Sequence, residues 1–477
     1  MKRIGSLVAG FAVLVLLASA AQAQGARPSF TAVDGAAIEP AFSWHAHDYV
    51  TTCPGDSLTL QVDGRRGWRT KLAGAKPAPG DLTSSFPVAA GQGVDVIFKR
   101  KRHGKRHPGH RWVRAGFHVR CLPDDFPATD FDRIRPGGAK LFMVQLPDDY
   151  AAIYDGDGVP VWWAKADGVT DDAKVLPDGT ISWNSVLPGA SQTGAFDILS
   201  PAGEPIRSVG DAETDVHDIQ LLPNGNYVTA QQVFRGDVDA TAYGGAASSV
   251  VVDFEIRELT PGGRVVRSWK TADHIGLGET GRWWPHVVEG LFYDTSHWNA
   301  VEIDGRYMYL SFRHLDAIYK VDRRTGEIVW KLGGTETPES LEVLNDPRGD
   351  YPFGGQHDVR VQPNGTVTVF NNRTDLADAV PRAERFRIDE QAGTAKLVQS
   401  ITDPEMTEAR CCGSARRLPD RSWLISWGSN AMIGAYDDRG RPLYRMTIPD
   451  DAFTYRANPV LDLGARELRR AMDDMNR

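Results

Sequence analysis

The 477-residue sequence lacks a second long apolar run: residues 4–20 form one, and no stop-transfer pattern follows it. Lys2 and Arg3 precede the run, and Ala21-Gln22-Ala23 ends it. A basic start, a short apolar core and a small-x-small site read as a cleaved secretory signal. The expectation is an exported chain, periplasmic or extracellular, with no transmembrane segment once mature. No cysteine stands just after the run, which argues against a lipid anchor there. A positive charge balance is missing too. The formal net charge is −8, which points away from nucleic acid.

Cysteine is scarce, with four residues in all. In an exported chain they meet oxidising conditions. Cys53 and Cys121 flank the first strand-rich region, and a bridge between them would staple it. The neighbours Cys411 and Cys412 form a vicinal disulfide or stay as thiols, and the sequence leaves all three pairings open.

Against the acidic balance stands one basic run, "KRKRHGKRHPGHRWVR" (99–114). Such runs are mostly solvated hairpin loops, with an anionic polymer as the alternative partner. Its histidines His103, His107 and His110 are a weaker candidate for metal binding. The run lies in a region, about 24–125, of alternating segments such as "DSLTLQVDG" and "GFHVRC". That alternation predicts a small antiparallel β-sandwich. A linker rich in Pro, Asp and Gly is expected over 126–138.

From 139 to 460 a repeat takes over. Each unit has a turn like "LPNG" and then a second hairpin. The first turns are "LPDD" (146–149), "LPDG" (176–179), "LPNG" (222–225), "EIDG" (302–305), "QPNG" (362–365) and "LPDR" (418–421). Glycines of the second hairpins fall at 158, 203, 263, 326, 393 and 440. Two hairpins per unit, six times over, predict an all-β chain whose main part is a six-bladed β-propeller. The tail 461–477 reads as a polar helix packed on the outside.

Three histidines share one address in this repeat. His217, His297 and His357 each stand eight residues before a first-turn glycine, Gly225, Gly305 and Gly365. If the first strand of each unit lines a central channel, they meet at its mouth. The equivalent positions elsewhere are Leu141, Asp171 and Gly413, so the turn itself does not demand histidine. Asn299 lies two residues after His297, and strand alternation puts both on one face. Asp218 and Asp358 should then face away, as packing or turn residues. Arg313 ends the second strand of the His297 unit and can reach the rim or pair with Asp316; Arg373 has a similar place one unit on. Trp283, Trp284 and Trp298 are candidates for an aromatic wall or for the core.

The stretches "SHWNAVEIDGRYMYLSFRHLDAIYKVDRRTGEIVWKLGG", "HDIQLLPNG" and "GQHDVRVQPNG" resemble the bacterial arylsulfotransferase family, over about residues 137–460. The resemblance implies a six-bladed propeller that moves a sulfuryl group from an aryl sulfate to a phenol through a sulfated histidine. It implies no cofactor and no nucleotide sulfate donor. It makes His357 the nucleophile, His217 and His297 the other site histidines, and Asn299 and Arg313 the groups that contact sulfate. The family's best-known members carry a different N-terminal portion and a spaced cysteine pair, where this chain has Cys411-Cys412. Two other classes fit the same residues. Three imidazoles around an axis suit Zn²⁺ or Cu²⁺, and a propeller that binds an aryl sulfate or glycan without turnover would use Arg313 equally well.

Overall fold

The structure is a computed structural model that describes residues 27–476 apart from 34, 36, 103–110, 167, 187–191, 349–350 and 449–451. The expected signal (1–23) and the centre of the basic run, with His103, His107 and His110, lie outside the described residues. What is described is nearly all β.

Two sheets form the N-terminal part. One orders Ser29–Ala32, Ser57–Asp63 and Leu82–Pro87. The other orders Asp48–Thr52, Arg111–Leu122, Gly93–Arg102 and Trp68–Leu72. Alternate residues of both sheets, including Leu58, Leu60, Val62, Val96, Phe98 and Val119, share one apolar core. The Cys53–Cys121 disulfide lies at its edge, with Cα atoms 5.5 Å apart.

Six further sheets follow, each built on four antiparallel strands, with a fifth strand added at the outer edge of the fifth and sixth sheets. In the second sheet these are Val169–Val175, Ile181–Val186, Phe196–Leu199 and Pro205–Val209. The third runs from Gln220–Leu221 through Tyr227–Val238 and Ser249–Leu259 to Val265–Lys270. Trp298–Asp304, Tyr307–Phe312, Ala317–Asp322 and Ile328–Gly333 make the fourth. The fifth starts at His357–Val361 and the sixth at Ser414–Arg417. The repeated turns need left-handed backbone, and the glycines supply it: φ is +80° at Gly179, +82° at Gly225 and +75° at Gly365.

Three expectations need correction. The innermost strand of the first sheet is Ala457–Pro459, from the far end of the chain, and Leu141–Gln145 is its second strand. "LPDD" therefore joins second and third strands, and the counterpart of the histidines is the stretch before Ala457, not Leu141. The stretch expected as a linker contains Asp130–Arg133, the outermost strand of the sixth sheet. Each end of the chain thus completes a sheet begun elsewhere. The C-terminal helix Ala465–Met475 is not polar all round. Leu468, Ala471 and Met472 enter the core of the first sheet beside Trp163. On its other side Arg120 donates to Asp473 at 3.0 Å and Arg469 pairs with Asp48 at 2.6 Å, which ties the helix to the N-terminal sheets.

The innermost strands are joined by charge. Lys174 bridges Asp172 and Asp218, and Asp218 accepts from Arg360 at 3.1 Å and from the Val301 amide at 3.0 Å. Arg456, with no exposed surface, lies 2.9 Å from Asp172 and 3.3 Å from Asp218. Asp358 meets Arg360, Arg416 and the Ala415 amide at 3.0, 2.8 and 3.0 Å. All six sheets contribute a residue to this network. Asp218 and Asp358 face away from the histidines as expected, but they are its anionic centres, not packing or turn residues. Burial of so many ions is tolerable because each has several partners.

Candidate active site

Several inner strands begin with a distortion. Register shifts occur between Asp171 and Lys174, between Trp298 and Ala300, and between His357 and Arg360. Left-handed φ values occur at Asp172 (43°), His297 (49°), Asp358 (62°) and Cys412 (65°). A bulge re-aims side chains. Here His357 turns toward the other imidazoles and Asp358, next to it, into the ion network. Non-glycine residues in this region cost about 1 kcal/mol or more each, a strain found where structure around a site over-determines it.

The bulges bring the histidines together. The rings of His217 and His297 have centroids 5.1 Å apart. Tyr455, just before the innermost strand of the first sheet, lies 5.6 Å from His217 and 6.4 Å from His357. A fourth imidazole, His314, stands 4.6 Å from His297.

What separates these rings is the group on Nδ1. His217 Nδ1 is 2.6 Å from Asp215 Oδ1, and Gln232 holds the other carboxylate oxygen at 3.1 Å. Burial opposes a proton on His217, but the charge and hydrogen bond of Asp215 outweigh it and raise its pKa above the usual 6.5. His297 Nδ1 meets Asp294 Oδ2 at 2.5 Å, yet burial, then the charges of His217 and Arg313, hold its pKa well below the usual value. His314 donates from Nδ1 to the Asp294 carbonyl at 2.6 Å, and burial next to His297 pushes its pKa down to about 3.

His357 has a neutral partner. Asn372 Nδ2 donates to the Cys412 carbonyl at 3.0 Å, which turns Oδ1 toward His357 Nδ1 at 2.8 Å. An amide oxygen only accepts, so Nδ1 carries the hydrogen and Nε2 a bare lone pair. Burial, then the charge of Arg313, holds the His357 pKa well below the usual value. The Cys412 amide donates to Nε2 at 3.2 Å. This ring is a buried neutral base whose Nε2 lone pair faces the Cys412 amide.

Arg313 forms no pair with Asp316, whose carboxylate is taken by Arg282 at 2.7 Å, Tyr351 at 2.6 Å and the Gly355 amide at 2.6 Å. Instead Arg313 Nη1 is 2.7 Å from His314 Nε2, its guanidinium lies over Trp283 at 4.5 Å, and its buried Nε has no partner among the described residues. Asn299 is fully buried; its Nδ2 donates to the Gln356 carbonyl at 2.7 Å and its Oδ1 is unpaired among the described residues. It braces the strand entry beside His357. Arg373 turns away to the Asp378 and Tyr351 carbonyls. Trp283 provides a wall, its ring tilted against His314 with centroids 4.8 Å apart, while Trp284 stacks on Tyr243 and Trp298 is wholly in the core.

Cys411 and Cys412 are free thiols. A hydrogen bond from Cys412 stabilises the Cys411 thiolate, and despite burial the nearby Arg313 helps bring its pKa down to about 7. Cys412 is pushed well above the usual thiol range by the same pairing and by burial.

His314, Asp215, Asp294, Asn372 and Tyr455 were not expected from the sequence. An acid two or three residues before His217 and His297 was a visible signal; the Asn372 contact was not. Asp294, His297 and His314 are the group among the described residues with metal-ligand chemistry, their ligand atoms within 4.8 Å. Arg313 already places a positive charge against His314 Nε2, which disfavours a cation there.

Outside this chain, a search of curated proteins finds no match. Among solved structures, a protein of unknown function from Bacteroides caccae is 11% identical, with 68% of this chain and 99% of that one covered and a TM-score of 0.42. A streptogramin B lyase is 11% identical, with 69% and 90% covered and a TM-score of 0.38. The family profile described as Arylsulfotransferase (ASST) matches residues 135–443, which takes in the three histidines, Asn299, Arg313, Asn372 and both free thiols. By that match over most of its length, the chain belongs to the arylsulfotransferase family.

Proposed function

We propose that the protein is an exported aryl-sulfate:phenol sulfotransferase that works through a sulfohistidine on His357 without a nucleotide donor. We read its six sheets as the blades of one propeller, preceded by a β-sandwich module. The observation that carries the reading is His357: a buried, neutral imidazole whose unprotonated Nε2 accepts from the Cys412 amide and feels the charge of Arg313.

In the first half-reaction the Nε2 lone pair attacks sulfur. The N–S bond forms as the S–O(aryl) bond breaks, through a loose transition state with charge on the peripheral oxygens. Arg313 holds those oxygens, and the Cys412 amide shifts from the ring nitrogen to one of them. Removal of a donor of this kind typically costs about 3 kcal/mol of barrier. His217, whose proton Asp215 retains, gives it to the leaving phenolate. The intermediate keeps its Nδ1 hydrogen against Asn372, so the sulfated ring stays cationic and is a good leaving group.

In the second half-reaction neutral His217 takes the proton of the acceptor phenol. The phenol oxygen attacks sulfur, the N–S bond breaks, and both histidines return to their first states. Ping-pong kinetics follow. The aryl rings would stack near Trp283 and reach the rim, where Phe234 and Phe292 are exposed with centroids 5.2 Å apart.

The test is mass spectrometry after incubation with 4-nitrophenyl sulfate alone. Sulfate retained on the peptide with His357, and lost together with turnover in His357→Ala, is the expected result. Turnover unchanged in that variant would reject the mechanism. A metal-binding reading rests on the Asp294, His297 and His314 group; metal analysis of tag-free protein checks it.

A further inference from the structure

Far from the histidines, a cavity of about 340 Å³ lies between the N-terminal sheets and the C-terminal helix. Gly93, Asp95 and His118 line it from one sheet, and Arg466, Arg470 and Asp473 from the helix. His118 is 6% exposed. Its Nδ1 is 3.0 Å from Asp95 Oδ1, while its Nε2 has no partner among the described residues. A Cβ added to Gly93 would sit 2.4 Å from that Nε2, so the glycine lets the ring pack flush beneath the cavity floor.

The charges around it do not cancel. Asp473 is matched by Arg120 and Asp48 by Arg469, while Asp95 meets His118 Nδ1. Arg466 and Arg470 are left without an ion pair among the described residues. One helical turn apart, they point the same way, and two unmatched like charges at that spacing destabilise a helix unless something answers them. Lys99 and Arg114 sit opposite each other on the same sheet face as Asp95 and His118, which extends the positive field.

We propose that this cavity binds a tetrahedral oxyanion, sulfate or phosphate, either free or as an ester on a larger molecule. Both guanidiniums offer forked donors of the geometry such an anion takes. The anion then staples the C-terminal helix to the N-terminal sheets, and the site is separate from the sulfuryl-transfer chemistry.

The test is thermal unfolding of the full chain in sodium sulfate or sodium phosphate against sodium chloride of equal ionic strength. At one hundred times its Kd a single bound anion raises the Tm of a chain this size by about 3 °C. His357→Ala keeps the whole shift, because its defect lies elsewhere. Arg466→Ser/Arg470→Ser, two exposed positions, loses it and weakens the anion at least tenfold; Gly93→Ala loses it by filling the cradle. A shift with the inorganic anions identifies a free-ion site, and one seen only with a polysulfated glycan, still lost in the double variant, identifies an ester. An equal shift in wild type and double variant, or no shift with any probe, overturns the proposal.

Discussion

The group on Nδ1 of His357 offers the sharpest handle on the mechanism. Asn372→Asp replaces a neutral acceptor at 2.8 Å by a carboxylate and removes the amide that donates to the Cys412 carbonyl. Opposite charges about 4 Å apart attract by about 4 kcal/mol at an effective dielectric near 20. At 1.36 kcal/mol per pH unit, that would raise the pKa of His357 by about 3 units. The new carboxylate is also buried and takes up part of the proton itself, so a rise of about 1 to 2 units is the expected net effect. His357 would then bind a proton near neutral pH, and its lone pair would be lost as the pH falls. The assay is the pH profile of kcat/KM for 4-nitrophenyl sulfate, whose leaving group needs little acid help. Wild type should be level from pH 9 down to 6, since burial and Arg313 keep its nucleophile unprotonated. The variant should lose about 10- to 100-fold between pH 8.5 and 6. A profile merely lowered and parallel to wild type would refute both the assigned tautomer and the role of His357.

Five further outcomes follow from the same geometry. His217→Asn should slow donors with poor leaving groups at least 100-fold more than 4-nitrophenyl sulfate. In wild type, because the His217 pKa is raised, kcat/KM for those poor donors should fall as the pH climbs through that value, a decline read directly from the profile. Arg313→Met should cut kcat/KM for every donor by about 100-fold, measured by steady-state kinetics, as a lost oxyanion donor does. Iodoacetamide at pH 7.5 should label Cys411 well ahead of Cys412 and inactivate the enzyme, with Cys411→Ala active and resistant; peptide mapping checks this. Arg456→Met should lower stability by about 3–5 kcal/mol in denaturant unfolding, because it leaves Asp172 and Asp218 buried and undercompensated.

The repeat was legible because its turns obey a local rule. A hairpin that needs positive φ recruits glycine, and a fixed strand length carries that marker back to His217, His297 and His357. Hence the shared address of the histidines could be read without any contact. What stayed hidden depends on closure. Nothing in the local pattern around Leu141 says that residues 457–459 will displace it from the inside of its sheet. The residues of 130–133 are too polar and too few to announce a strand, and gain their place only from an edge completed more than 300 residues later. The strict alternation used to place Asn299 failed for a related reason. A bulge at Trp298 breaks the period of two just where function needs a different aim.

The channel network explains how such strained entries persist. His297, Asp358 and Cys412 hold backbone angles that an isolated strand would abandon. Each is followed at once by residues bound into neighbouring sheets: Arg456 takes the Asn299 carbonyl at 2.5 Å, and Asp358 takes Arg416 and the Ala415 amide. Relaxing one entry would unpair a buried ion of another sheet, so the bulges hold one another in place. Preorganisation of the imidazoles is thus a property of the ring of sheets, not of any one of them. It follows that Asp218→Asn, with no atom at the histidines, should lower kcat more than it raises KM. It should also broaden the His217 and His297 imidazole signals in NMR spectra. Intact kcat and unchanged imidazole signals in a destabilised Asp218→Asn protein would show instead that the network supports only the fold.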